Sequence, residues 1–157
     1  MKRILVFSDS HGDVSGMCKV VERIIGVDLI VHCGDYSKDA VFLRKAYPDI
    51  PVISVKGNNE YGFTLDEPSE IIEMDGVKIF VTHGHHEGVK SGTETVINRA
   101  KINDCAVCIF GHTHRALCIK ENGVLVLNPG SAKGHGGTFG VVEIENSKPS
   151  AAILDID

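Results

Sequence analysis

The first third of the chain alternates short apolar runs with stretches of helical periodicity. Three runs have the length and apolar content of buried strands: Arg3–Ser8, Leu29–Cys33 and Val52–Val55. Two stretches between them place apolar residues three and four positions apart and are closed by Gly or Pro: Val14–Ile25 and Asp39–Tyr47. Strand–helix repeats of this kind predict a parallel βαβαβ unit at the start of the fold.

The rest of the chain has a different pattern, in which turn dipeptides separate alternating strands. Two dipeptides that favour hairpin turns, Asp75-Gly76 and Asn122-Gly123, each lie between two such strands. The predicted strands of this part are Glu70–Met74, Val77–Val81, Ala106–Phe110, Ala116–Lys120, Val124–Leu127, Gly140–Glu145 and Ala151–Ile156, and the predicted helix is Thr93–Lys101. No stretch has the composition of a linker. We therefore predict an α/β protein with one domain, residues 1–157, with mixed sheets and helices outside them.

Charge and hydropathy narrow the class of protein. The 157 residues include 16 Lys and Arg against 21 Asp and Glu, a formal net charge of −5. A nucleic-acid groove needs a basic surface, so nucleic acid is not expected as a partner. The apolar run Ile4–Phe7 is shorter than a secretory signal requires, and no apolar stretch is long enough to span a bilayer. We therefore expect a cytoplasmic protein that does not act at a membrane.

The cysteines support the same expectation. The chain has five of them, an odd number, and three are scattered singly. Cys105 and Cys108 form a C-x-x-C motif, but the sequence around them is typical of a buried strand rather than of the helix start that redox pairs occupy. We interpret the cysteines as reduced core residues.

Side chains that bind metals follow five of the predicted strands directly. They occur in the segments Asp9-Ser10-His11, Gly34-Asp35, Gly57-Asn58-Asn59-Glu60, Thr82-His83-Gly84-His85-His86 and Gly111-His112-Thr113-His114. Each segment alone is common in ordinary turns. Ligand sites in open α/β sheets form outside the carboxyl ends of the strands, so five such ends are expected to offer their side chains to one edge. This convergence predicts a metal site.

The donor types indicate the kind of metal. Seven side chains are candidate ligands: Asp9, His11, Asp35, Asn58, His83, His112 and His114. Carboxylate, amide and imidazole donors suit divalent ions such as manganese, iron, zinc or nickel. Seven donors are too many for one tetrahedral ion but fit two ions that share a carboxylate. Such a pair stabilises both sides of an in-line displacement at phosphorus.

The order D-x-H, G-D, G-N-x-[D/E], H-x-H and G-H-x-H resembles the calcineurin-like metallophosphoesterases, and it is most similar to their small, cap-less phosphodiesterases of bacteria and archaea. The resemblance extends from Asp9 to the loop Asn128-Pro129-Gly130-Ser131. It implies a four-layer α/β/β/α sandwich with two mixed sheets. It also implies a phosphodiesterase that acts on a small-molecule phosphoester, in which a hydroxide held between two divalent ions attacks phosphorus.

The resemblance also implies a role for each ligand. Asp9, His11 and His114 would bind the first metal, Asn58, His83 and His112 the second, and Asp35 would bridge them. We expect Mn²⁺, with Ni²⁺, Zn²⁺, Fe and Mg²⁺ as alternatives. Two divalent ions outweigh the charges of Asp9 and Asp35, so the site would attract phosphate in an acidic protein. Gly57 and Gly111 are expected to form tight turns between the ligands.

One position departs from the family pattern. Many members have His after the motif Asn, where it assists the leaving group, whereas this chain has Asn59 followed by Glu60. An amide can donate a hydrogen bond but cannot deliver a proton. We hypothesise that Asn59 favours phosphodiesters or substrates with good leaving groups. The expected catalytic residues are Asp35, Asn58, Asn59 and His85.

The other histidines are expected to have lesser roles. His85 is expected to face the site and contact the phosphate or a metal-bound water, with a structural role as the alternative. His86 is expected at the surface, His32 in the core behind the site, and His135 in a loop outside it.

Two alternative functions stay open: a phosphomonoesterase that uses the same site, and a non-catalytic protein-binding scaffold of the same fold. The stretch between Asn58 and His83 has room only for a loop and a hairpin, so the site is expected to be open and shallow. The sequence gives no indication of oligomeric state.

Overall fold

The fold consists of two five-stranded sheets with helices on their outer faces. The computed structural model describes residues 1–60 and 64–157, and the described residues form ten strands and three helices. The strands are β1 (Lys2–Phe7), β2 (Leu29–His32), β3 (Val52–Ser54), β4 (Ser69–Met74), β5 (Val77–Thr82), β6 (Val107–Ile109), β7 (Leu117–Glu121), β8 (Val124–Asn128), β9 (Thr138–Glu145) and β10 (Lys148–Asp155). The helices are α1 (Ser15–Arg23), α2 (Ser37–Ala46) and α3 (Glu94–Ile102).

The first sheet has the order β10-β9-β1-β2-β3. Strands β1, β2 and β3 are parallel, with Ile4 opposite Leu29 and Ile30 opposite Val52. Because α1 and α2 connect them, the predicted βαβαβ unit is confirmed. The carboxyl ends of these three strands therefore point to the same edge of the sheet.

The second sheet has the order β4-β5-β6-β8-β7, with β5, β6 and β8 parallel in its centre. The outer strands β4 and β7 are added as antiparallel hairpins. Both hairpin turns are those predicted, and all four turn residues have positive φ, as a type I′ turn requires: Asp75, Gly76, Asn122 and Gly123.

Alternating residues of the strands divide the core into the layers of a sandwich. Ile4 and Val6 of β1 point between the sheets, where they share one apolar cluster with Ile79 and Val81 of β5. Residues on the opposite faces pack against the helices: Leu5 and Phe7 against α1, and Phe80 and Phe110 against α3. The predicted four-layer α/β/β/α sandwich is confirmed.

The C-terminal hairpin differs from the prediction. Strands β9 and β10 pair over their whole length and turn at Asn146 and Ser147, whose φ angles are 51° and 60°. The first predicted strand ends at Glu145, as β9 does, but the second begins at Ala151 rather than at Lys148. The pattern did not place the turn at Ser147 because Ser is not a residue that favours positive φ. The predicted strand also included Ile156, which lies beyond β10 and packs in the core under α1.

The cysteines fit the core interpretation in part. Cys33, Cys105 and Cys108 are buried, and burial raises the pKa of each thiol, so these thiols are poor nucleophiles. Cys118 is exposed and Cys18 half-buried, so the interpretation is wrong for Cys118. None of the five forms a disulfide. No helix within the described residues has the length and hydrophobicity needed to cross a membrane.

Candidate metal centre

The seven predicted ligands come together where the carboxyl ends of the parallel strands of both sheets meet. Each ligand lies in a loop that directly follows β1, β2, β3, β5 or β6. The loops are tied to one another by backbone hydrogen bonds. Asp9 N donates to Gly34 O at 3.1 Å, and Gly111 N donates to His83 O at 2.9 Å. The ligands are thus held by neighbouring loops of the two sheets.

One half of the cluster comprises Asp9, His11, Asp35 and His114, whose ligand atoms all lie within 4.8 Å of one another. His114 Nε2 is 3.1 Å from Asp9 Oδ1, and His11 Nε2 is 3.5 Å from Asp35 Oδ2. Two ligands of a divalent ion, each bound at about 2.1 Å, lie roughly 3 to 3.4 Å apart in octahedral or tetrahedral geometry. The spacing in this half is thus close to that of ligands around one ion.

The other half comprises Asn58, His83, His112 and again Asp35. His83 Nε2 lies 2.9 Å from Asn58 Oδ1 and 3.2 Å from His112 Nδ1. Asp35 Oδ1 lies 3.4 Å from His83 Nε2, whereas its Oδ2 faces His11 in the first half. Asp35 therefore offers one carboxylate oxygen to each half, as a bridging ligand would.

Unpartnered polar atoms test whether a cation fits this site. Asp9 Oδ1 and His11 Nε2 are buried and find no hydrogen-bond partner among the described residues. His83 Nδ1 lies 2.7 Å from the carbonyl oxygen of Cys33, so it donates its proton there and leaves the lone pair of Nε2 facing the cluster. Buried polar atoms without a partner are costly, and divalent cations bound in the cluster would satisfy Asp9 Oδ1 and, through the lone pair of its ring nitrogen, His11 Nε2. The residues fit such ions.

The pKa shifts favour the protonation states that bind metal. Burial, together with the charges of His83 and Lys90, lowers the pKa of His112, so its imidazole stays neutral at pH 7. Burial opposes ionisation of Asp35. The electrostatic attraction of His83, the two hydrogen bonds from Asn59 and the electrostatic attraction of His11 together outweigh burial, so the pKa of Asp35 is lowered. Asp35 is therefore a carboxylate at neutral pH.

The backbone of the ligand loops is strained. Five ligands are non-glycine residues with φ between 48° and 68°: Asp9, His11, Asp35, His112 and His114. This left-handed region is unfavourable for residues with a Cβ, and such strain is typical of functional sites. The sequence pattern did not predict it, because each residue is positioned by contacts with a distant loop. The backbone N–H of His112, for example, donates to Asp9 Oδ2 at 3.0 Å.

Gly57 and Gly111 are required for close approach, which corrects the prediction that they form tight turns. Neither is among the residues with positive φ. A Cβ on Gly57 would collide with the backbone nitrogen of Asp35 and lie 3.0 Å from its Cα. A Cβ on Gly111 would lie 2.7 Å from Asp9 Oδ2. The absence of a side chain allows the loops to touch.

A buried polar network behind the site supports the first loop, and only His32 of this network was predicted. Asp39 Oδ2 accepts hydrogen bonds from Ser10 Oγ and from Gly12 N, the latter at 2.8 Å. His32 accepts from Gly34 N at Nδ1 and donates from Nε2 to Ser10 Oγ at 2.8 Å. Burial lowers the pKa of His32, which keeps it neutral and able to do both. The network joins the loops after β1 and β2 to α2.

Asn59 and Glu60 have different partners from those suggested by the family pattern. Asn59 N donates to Asp35 Oδ1 at 2.9 Å, and its side-chain Nδ2 lies 3.4 Å from Asp35 Oδ2. Glu60 accepts from the backbone and hydroxyl of Ser37, each at 2.8 Å, and so fixes the loop to the start of α2. In this chain the acid does not contact Asn59; it anchors the loop.

The remaining histidines lie at different distances from the ligands. The ring of His85 is 5.4 Å from that of His83 and 6.0 Å from that of His112, and its Nδ1 is buried without a partner. His86 is exposed and lies against His85, with ring centres 4.0 Å apart. His135 is fully exposed beside Asp157.

The sequence profile of the calcineurin-like phosphoesterase superfamily domain matches residues 1–157. The chain belongs to this superfamily. A phosphodiesterase of Methanocaldococcus jannaschii is 28% identical, with 98% of this chain and 99% of the relative covered. A probable metallophosphoesterase of Bacillus subtilis is 33% identical, with 97% of this chain and 90% of the relative covered. The resemblance inferred from the motifs is confirmed.

Solved structures agree on the fold. A predicted phosphoesterase from Streptococcus pneumoniae has a TM-score of 0.82 at 29% identity, covering 99% of this chain and 90% of that protein. Vps29 from Entamoeba histolytica, solved with zinc, has a TM-score of 0.76 at 21% identity, with 99% of each chain covered. At that identity Vps29 shows a shared fold only.

Proposed function

We propose that this chain is a metal-dependent phosphodiesterase that uses two divalent cations bound by the seven ligand side chains. The observation that carries the proposal is the pair of buried ligand atoms Asp9 Oδ1 and His11 Nε2, which lie 4.0 Å apart and find no hydrogen-bond partner among the described residues. When bound, the cations polarise the phosphoester and lower the pKa of a water molecule, which is the chemistry of two-metal phosphoester hydrolysis.

Hydrogen bonds within the chain hold the ligand atoms in the orientation that this chemistry requires. Asp35 offers an oxygen to each half of the site, and the backbone N–H of Asn59 holds that carboxylate in place. The carbonyl oxygen of Cys33 fixes the ring of His83 so that Nε2 faces the ligands. Asp9, His11 and His114 complete the first half, and Asn58 and His112 complete the second.

The exposure of the site supports a small-molecule phosphoester as substrate. The His114 side chain is 49% exposed, and Asn58 is exposed as well. A phosphate could therefore reach the ligands from solvent without movement of any segment that the structure describes. An open site of this kind is expected to accept diesters with a range of ester groups.

His85 is proposed as a contact to the phosphoester. Its ring borders those of His83 and His112, and the residue is half-buried, so the part of the ring that reaches solvent is available to a ligand at the centre. A contact of this kind would affect substrate affinity and not metal affinity. The KM of His85→Ala, measured with metal content held at the wild-type level, tests this role.

Three finer points belong to the same proposal. Mn²⁺ is the proposed ion, since a mixed set of carboxylate, amide and imidazole ligands suits it. Residues 1–157 are proposed as one domain because both sheets contribute to one apolar cluster. A cytoplasmic location is proposed because the buried thiols are unpaired, which is typical of reducing compartments.

The scaffold alternative is less well supported than the enzyme. A protein-binding scaffold has no need for five ligands with strained backbones, each of which costs on the order of 1 kcal/mol. Metal binding would offset that cost. Because a scaffold could also bind metal, hydrolysis has to be measured directly.

Removal of metal tests the proposal. After treatment with EDTA and desalting, hydrolysis of bis(p-nitrophenyl) phosphate is expected to fall at least about a hundredfold and to return with added Mn²⁺, because the cations supply most of the transition-state stabilisation. Metal content by mass spectrometry and the melting temperature should change in parallel, since ions bound only by the folded chain stabilise it. Hydrolysis that persists in metal-free protein would contradict the proposal.

Asn59→His tests the preference for diesters. The Asn59 side chain lies beside Asp35 Oδ2, so an imidazole there could reach a leaving group and donate a proton. General acids contribute about 10² to 10⁴ in rate, mostly for poor leaving groups such as those of alkyl monoesters. The ratio of diester to monoester hydrolysis should fall at least about tenfold. Asn59→Gln, which keeps the amide, is the control, and an equal ratio in both variants would remove the hypothesis.

A further inference from the structure

An open groove of about 710 Å³ adjoins the loop that carries His112 and His114. Thr113, which lies between these two ligands in the chain, lines the groove. Phe110 and Asn128, at the carboxyl ends of the parallel strands β6 and β8, line it as well. The groove therefore opens on the same sheet edge as the metal centre, and its volume lies within the range of small-molecule sites, roughly 300 to 1,000 Å³.

The wall between the groove and the centre is fixed in position. Asn128 is buried, and its Nδ2 donates to Gly111 O at 3.0 Å and to Thr113 Oγ1 at 2.9 Å. The lining also includes four apolar residues: Val89 and Phe110 are buried, whereas Ala116 is exposed and Leu117 is half-buried. The accessible apolar surface is therefore that of Ala116 and Leu117.

Two cations, Lys90 and Arg115, also line the groove. Both are exposed, and the part of the chain that the structure describes offers neither side chain an ion pair or a hydrogen bond. Arg115 follows the ligand His114 directly in the chain. Two uncompensated positive side chains beside the ligand loop are unusual in a protein of net charge −5.

We infer that this groove binds the part of the substrate beyond the scissile phosphate, and that Lys90 and Arg115 recognise a second phosphate on it. The inference rests on the proposed function and names its substrate class: a phosphodiester with an organic ester group that carries another phosphate. The organic group packs on Ala116 and Leu117. The cations neutralise the second phosphate, which the metal centre does not reach.

A matched pair of chromogenic diesters tests this specificity. The p-nitrophenyl ester of thymidine 5′-phosphate is compared with the same ester carrying a 3′-phosphate, so the two differ only in the second anion. We expect wild-type protein loaded with Mn²⁺ to give a kcat/KM at least about tenfold higher for the phosphorylated ester. In the variant K90A/R115A the ratio should fall to about one. The double variant K45A/K148A, at exposed lysines in the last turn of α2 and at the start of β10, removes the same two positive charges and should keep the wild-type ratio.

A binding measurement gives a second readout that does not depend on turnover. Titration calorimetry with thymidine 3′,5′-bisphosphate should show at least about tenfold weaker binding to K90A/R115A than to wild type, equivalent to about 1.4 kcal/mol. Metal content of the variant should match that of wild type.

The outcomes separate this inference from the proposed function. If both esters are hydrolysed but wild type prefers neither, or if K90A/R115A keeps the preference, the groove does not bind a second phosphate while the phosphodiesterase stands. If neither ester is hydrolysed with any of Mn²⁺, Ni²⁺, Zn²⁺ or Mg²⁺, the proposed function fails. In that case, equal binding of the bisphosphate to wild type and to K90A/R115A would also overturn phosphate binding by the groove, whereas weaker binding to the variant would support it.

Discussion

Asp35→Asn is expected to lower diester hydrolysis by about a thousandfold, equivalent to roughly 4 kcal/mol of transition-state stabilisation. The carboxylate faces His11 with one oxygen and His83 with the other, at 3.5 and 3.4 Å. An amide has only one oxygen, and its NH₂ group cannot bind a cation. Bound metal should therefore fall from two ions per chain to one or fewer. Turnover is followed with bis(p-nitrophenyl) phosphate, and metal content by mass spectrometry.

The stability of the metal-free protein distinguishes loss of a ligand from loss of the fold. Asn keeps an oxygen that can accept the hydrogen bond from Asn59 N, but the lowered pKa of Asp35 means that its charge stabilises the fold, so the metal-free variant should melt only slightly below metal-free wild type, by about 5 °C or less. Asp49→Asn, at an exposed carboxylate before β3, is the charge-matched control and should behave as wild type. Two ions per chain and full turnover in Asp35→Asn would contradict the bridging role.

The ligand set could be predicted from the sequence because the relevant information is local. Each ligand follows a short apolar run, and the carboxyl ends of parallel strands necessarily meet at one edge. Asp9 and His112, for example, lie 103 positions apart in the chain but are joined by a hydrogen bond of 3.0 Å. The order of the motifs predicted that they meet, and the sandwich of two sheets explains how.

The hydrogen-bond network and the backbone conformation that hold the ligands in place could not be predicted, because both depend on contacts between distant loops. Ser10, His32 and Asp39 are unremarkable in the sequence, and their network exists only because β2 and α2 pack behind the first loop. The positive φ of five ligands has the same origin. Lys90 and Arg115, too, are separated in the chain, and only the fold places them along one groove.

Gly57→Ala is expected to disable the site although it removes no ligand. The new Cβ would collide with the backbone nitrogen of Asp35, and rotation of a side chain cannot relieve a collision with backbone. The loop after β3 must move away, which carries Asn58 from its position 2.9 Å from His83 Nε2. We expect a loss of at least about a hundredfold in diester hydrolysis, since misplacement by about 1 Å can have an effect of that size. One of the two ions should be lost or bound more weakly.

Gly123→Ala separates this local effect from general destabilisation. Gly123 lies in the β7–β8 turn with φ of 79° and open space around it, so its replacement strains the backbone far from the ligands. Both variants should unfold at a lower temperature than wild type, but only Gly57→Ala should lose metal and activity. If Gly57→Ala instead retains two ions and normal turnover, Asn58 does not need the close approach of the two loops. The role assigned to Gly57 would then be wrong.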